Sequence, residues 1–235
     1  AMAFGPDGTL WLTAGVNRLI EFDGASWTSH RVPGFSVAGY DSPWSSSMLV
    51  DDSGTVWMGT NPHVLDVVGD DDRLLGLGVV VFHPNREFQV LTTEDGLPSD
   101  VTPWVATSDD GWVWLASGSI HQDETQPDLD ASWGVARGSH FGGWLSYTVA
   151  DGLLSNDAML IPGDSGDVWA VHTRVRPYGY SHFDGDSWTA YPTDERPGDG
   201  SRGIYLDGRV LTIRDGNLVS FDGTRHEMYP SPFLP

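Results

Sequence analysis

The chain has 235 residues, 39% of them apolar, no cysteine and a formal net charge of −21. That length and apolar content suit a folded all-β domain rather than a disordered one, and the missing cysteine excludes disulfides and thiolate chemistry. The negative charge repels phosphate at long range and so argues against nucleic acid, and no apolar run is long enough for a membrane-spanning helix.

Read from the N-terminus, one phrase recurs: Gly, any residue, a branched aliphatic, then Trp. It stands as Gly8-Thr9-Leu10-Trp11, Gly54-Thr55-Val56-Trp57, Gly111-Trp112-Val113-Trp114 and Gly166-Asp167-Val168-Trp169. A worn fifth copy reads Gly208-Arg209-Val210-Leu211. Asp7, Asp52, Asp110, Asp164 and Asp207 stand just before these glycines, or one residue earlier, as turn formers. A spacing of 42 to 57 residues means one supersecondary unit repeated five times.

Each copy opens with an alternating segment such as Ser47-Met48-Leu49-Val50, turns, and runs into the Trp strand. A second strand pair follows, as in Ser181-His182-Phe183-Asp184-Gly185-Asp186-Ser187-Trp188, where Asp-Gly between apolar runs marks a hairpin. Two hairpins give four strands, and four short strands per repeat describe a propeller blade. The sequence therefore predicts a single all-β domain over 1–235, a five-bladed β-propeller of four-stranded antiparallel blades. The blades cover about 1–32, 46–92, 101–148, 157–191 and 202–229.

The connectors Glu94-Asp95-Gly96-Leu97-Pro98-Ser99-Asp100 and Asp151-Gly152-Leu153-Leu154-Ser155-Asn156 complete the pattern. With Asp51-Asp52-Ser53-Gly54-Thr55-Val56-Trp57-Met58-Gly59-Thr60, they resemble the two-component-regulator propeller repeat. The resemblance implies the extracytoplasmic sensor part of a bacterial signalling protein, periplasmic, cell-surface or secreted. That family carries more blades than the five seen here.

In such a fold, function concentrates in the loops at the channel mouth. Trp44 and Trp104, each behind a proline, offer flat area for a sugar or peptide. Asp100 and Asp157 lie in the connectors, and Arg174, Arg176 and Tyr178 form a basic-aromatic cluster suited to an anionic group. His63, His121 and His172 follow the Trp strands of successive blades, a candidate set for a divalent cation, though without metal-site spacing. No nucleophile triad, phosphate loop or His-Glu-x-x-His motif is present. The reading is a non-enzymatic, monomeric propeller that senses a small molecule, glycan or peptide, with no nucleic acid and no membrane insertion. One alternative is a glycosidase using Asp51, Glu94, Asp100 and Asp157, or a metal-dependent lyase, at the same mouth. The other is a protein-interaction scaffold.

Overall fold

The computed structural model describes residues 1–15, 17–33, 45–60, 63–64, 74–75, 78–117, 134–139, 142–164, 166–174, 176–199 and 203–230. Five four-stranded antiparallel sheets follow the five repeats, an all-β five-bladed propeller. Blade one is built from Met2–Phe4, Leu10–Ala14, Arg18–Phe22 and Trp27–Arg31. Blade two has Ser45–Val50, Val56–Thr60, Val79–Phe82 and Phe88–Leu91, with a small extra hairpin of His63–Val64 and Leu74–Leu75 between its second and third strands. Blade three has Trp104–Thr107, Val113–Ala116, Val135–Ser139 and Gly142–Tyr147. Blade four has Met159–Pro162, Val168–His172, Tyr178–Phe183 and Trp188–Thr193. Blade five has Ile204–Leu206, Arg209–Arg214, Asn217–Phe221 and His226–Tyr229.

The recurring phrase encodes both faces of a blade. Successive side chains of a strand point to opposite sides. The branched aliphatic therefore faces the preceding blade and the Trp faces the following one. Trp11 packs with Val56, Met58 and Phe82 of blade two. Trp57 packs with Val113 and Leu115 of blade three. Trp114 packs with Val168, Phe183 and Trp188 of blade four. Trp169 packs with Val210 and Phe221 of blade five. Each Trp meets an aromatic ring of the next blade edge-on, at 5.6 Å for Trp11–Phe82, 6.1 Å for Trp57–Trp144, 5.8 Å for Trp114–Trp188 and 5.9 Å for Trp169–Phe221. Edge-to-face geometry sets the positive ring edge against the negative ring face, adding about 1 kcal/mol to area burial.

Four such cores join five blades. The first strands of consecutive blades pack against one another, from blade one through blade five. No comparable packing and no fifth apolar cluster joins blade five back to blade one among the described residues. Leu10, at the aliphatic position of blade one, and Leu211, at the Trp position of blade five, are accordingly only half-buried.

In blades two and three the turn that carries the phrase also anchors the Trp. Asp51 Oδ1 accepts the Ser53 and Thr55 amides at 3.0 Å each, and its Oδ2 accepts the Trp57 indole N–H at 2.9 Å. In blade three Ser108 takes that place, its Oγ accepting the Trp114 indole N–H at 3.0 Å. In blade four the position is Gly163, and the Trp169 indole N–H has no partner among the described residues. The sequence singles out Asp52 in blade two, but it is Asp51 that closes the turn.

The Asp-Gly-Leu connectors form matching single 3-10 turns, Thr93–Asp95 and Val149–Asp151. A Thr at each start and an Asp at each third position cap one another's backbone, and Gly96 and Gly152 end the turns at φ 97° and 103°. Among the described residues, no helix is long and apolar enough to cross a membrane.

Candidate functional site

In a blade whose strands run antiparallel in order, the connectors and the loops between second and third strands emerge at one end. The two hairpin turns emerge at the other. Trp104, Ser117, Asp157, Thr173, Arg174, Tyr178 and Arg196 all lie at the first end, in blades three and four or the connector after blade four.

The repeat register shows which of these depart from the pattern. Aligning the two connectors, Asn156 occupies the place of Asp100 and Asp157 the place of Val101. Asp100 is structural: its carboxylate accepts the Thr93 amide at 2.6 Å, and its carbonyl accepts the Gly78 amide at 2.8 Å. Asn156 repeats the first contact, accepting the Val149 amide at 2.9 Å. Asp157 is different, a carboxylate 2% exposed where the repeat elsewhere buries a Val. A buried carboxylate must find a counter-charge or hydrogen bonds to offset its lost hydration. Arg174 supplies the charge, its Nη1 3.5 Å from Asp157 Oδ1. The same guanidinium lies over the Trp104 ring of blade three at 5.7 Å, so the cluster bridges two blades.

At 3.5 Å the ion pair is longer than a hydrogen bond. Arg174 Nη1, Trp104 Nε1, Ser117 Oγ and Thr173 Oγ1 are buried with no hydrogen-bond partner among the described residues. Trp104 Nε1 and Arg174 Nη1 can only donate, while the two hydroxyls can donate or accept.

Beside it, Tyr178 is flanked by two guanidinium groups, Arg176 at 4.9 Å and Arg196 at 5.4 Å from the ring centre. Neither arginine makes an ion pair among the described residues, despite the acidic surroundings. Sequence reasoning missed Arg196. Its only signal is the scarcity of cations, with 12 arginines and no lysine in the chain.

His172 sits under this cluster, 1% exposed. Its Nδ1–H donates to the Asp157 carbonyl at 2.8 Å, which can only accept. Its Nε2 must then accept, and it does so from the Ser181 hydroxyl at 2.9 Å. Ser181 Oγ accepts in turn from the Leu154 amide at 2.9 Å. Both ring nitrogens are thus occupied, and burial pulls the imidazole down to about 4, keeping it neutral. His172 ties strand to connector.

Of the other residues singled out from sequence, Trp44 and His121 lie outside the described residues. His63 lies on the small hairpin, with its side chain outside them. No group of three His, Cys, Asp or Glu side chains able to hold a metal is found among the described residues. The structure brings Trp104, Asp157 and Arg174 together and sets Arg176 against Tyr178. Asp100 lies one connector away. Asp51 lies at the opposite end, committed to its turn.

Two clefts open at that opposite end. One of about 290 Å³ between blades one and two is lined by Trp11, Glu21 and Arg86, and one of about 520 Å³ between blades two and three by Asp51, Asp52 and Asp109. Glu21 and Asp51 in these linings are engaged internally. Glu21 pairs with Arg86 and with His30, and these contacts hold its carboxyl below the usual range. Asp51 is bound to its own turn.

No family model matches the chain, and no curated protein matches it. Solved structures do. The extracellular domain of BT4673 from B. thetaiotaomicron, described as a one-component system, aligns with TM-score 0.60 and 14% identity over 98% of this chain and 31% of that one. YCF48 bound to D1 peptide aligns with TM-score 0.56 and 14% identity over 96% and 63%. Regucalcin, a calcium-binding protein from Agrobacterium tumefaciens str. C58, gives TM-score 0.51 and 14% identity over 99% and 74%. The chain spans about a third of the first of these structures and under two thirds of the second. At such identity the likeness is one of fold, and it places the chain among β-propellers.

Proposed function

We propose that this chain is a recognition propeller, without catalytic activity, that binds a small molecule, glycan or peptide at the mouth end of blades three and four. The observation that carries this reading is the group of buried polar atoms without a hydrogen-bond partner beside the long Arg174–Asp157 ion pair: Trp104 Nε1, Ser117 Oγ and Thr173 Oγ1. A rigid scaffold that leaves buried polar groups unmatched is prepared for a ligand that supplies their partners, as a hydroxyl-rich or carboxylate ligand does. Arg176, Arg196 and Tyr178 beside it favour an anionic group.

Placement outside the cytoplasm, as the sensor part of a two-component-regulator-type propeller, is supported by the repeat phrases and by a structural neighbour that is an extracellular domain of a one-component system. A peptide ligand draws support from a neighbour solved with a bound peptide.

The test is thermal unfolding of the whole chain with neutral oligosaccharides, sugar acids, small carboxylates and short peptides, and separately with divalent cations against chelator. A ligand at one hundred times its dissociation constant adds about 2.7 kcal/mol of stability. The expected result is a rise with one oxygen-rich probe that Arg174→Ala or Trp104→Ala removes, with no turnover of that probe. Turnover abolished by Asp157→Asn would replace the binding reading with an enzyme. No shift with any probe would overturn both.

A further inference from the structure

The four blade-to-blade cores share one polarity, the Trp-bearing face of one blade against the Val-bearing face of the next. Two faces of these same kinds are left over. On blade one, Phe4 is 69% and Trp27 60% exposed, and the register Phe4↔Leu10↔Phe22↔Trp27 places them in one apolar row with Leu10. On blade five, Ile204 is 59% and Leu206 53% exposed, and Ile204 pairs with Leu211 on the same side. Exposed apolar rows on both ends of a repeat array are interfaces in waiting. Each has the type of face that the other end presents, and among the described residues no apolar cluster joins them within one chain.

We propose that the blade-five face of one copy docks on the blade-one face of another, a head-to-tail contact between copies of this chain. This departs from the monomer expected from sequence. The occupant follows from continuity: the contact repeats, between copies, an interface the chain already makes four times. Because its two halves differ, the contact is heterologous and can propagate or close into a ring. It does not depend on the ligand site.

The test is analytical ultracentrifugation of the full chain across a wide concentration range, with Phe4→Asp, Leu206→Asp and their equimolar mixture. The expected result is a mass that grows with concentration for the wild type and a monomer for each variant alone. The mixture should give a dimer and nothing larger, since each variant keeps one intact face. Trp27→Ser and Ile204→Asp form a second pair should either first variant lose its circular dichroism spectrum. A wild-type monomer at every concentration overturns the proposal, and so does association that survives both substitutions. A mixture that stays monomeric overturns it too, because it denies that the two faces are complementary.

Discussion

Trp57 and Trp169 occupy the same place in successive repeats and are equally enclosed, at 0% and 5% exposure. They differ in one bond. The Trp57 indole N–H donates to Asp51 Oδ2 at 2.9 Å, whereas that of Trp169 has no partner among the described residues, because Gly163 stands where Asp51 would be. Replacing each by Phe removes the N–H and leaves a similar void, so the void cancels in the comparison. At position 57 the change discards a hydrogen bond to a charged group, worth about 1.5–3 kcal/mol net. At position 169 it removes an unmatched buried donor, which relieves about 1 kcal/mol or more. Trp57→Phe should therefore destabilise the protein more than Trp169→Phe by about 3 kcal/mol. Urea unfolding followed by circular dichroism, compared at equal slope, measures the gap. Equal losses, or a larger loss at Trp169, would refute the idea that the first turn position anchors the repeat Trp.

Three further outcomes are expected. Burial holds His172 neutral with its ionisation near 4, while in the unfolded chain it takes up a proton near 6.5. The unfolded state thus binds more protons below 6.5, so this contribution, about 3 kcal/mol, is intact above that pH and drains away between 6.5 and 4. Stability measured against pH should lose that segment in His172→Gln. Asp157→Val, which restores the repeat's own residue, should cost about 3–5 kcal/mol by stranding the Arg174 charge, and adding Arg174→Leu should recover most of it. Chemical denaturation of both variants decides this. Gly152→Ala should cost more than Gly8→Ala in thermal unfolding, by about 2 kcal/mol. Both have positive φ, but a Cβ at 152 would lie 2.6 Å from the Trp188 carbonyl oxygen, while at 8 it meets open space.

The blades were legible because one phrase specifies a turn, a strand and both faces of a sheet at once. The recurrence of Trp57 with Trp11, Trp114 and Trp169 marks it as a packing residue before any coordinates. Ring closure could not be read this way, because face chemistry says what packs against what, not how tightly the array curves. At the mouth, Trp104, Arg174 and Asp157 stand out in the sequence singly, each for its chemistry. Their meeting across two blades depends on the register between repeats. The reading of His172 as a metal ligand shows the limit of composition. A buried histidine bonded to Ser181 and to a main-chain carbonyl looks, in sequence, like one free to coordinate. Asp157 carried a usable signal, a charged residue where the aligned repeat has Val101.

Four interfaces among five blades also set an order of loosening. Among the described residues, blades two, three and four are each clasped on both sides, whereas blades one and five are held on one. Stability in such an array is a sum of local and nearest-neighbour contributions. Amide exchange should accordingly be fastest at the two ends and slowest in the middle. Blades three and four, which carry the Trp104–Arg174 cluster, both fall in the doubly clasped part, so fraying of either end leaves the recognition surface standing.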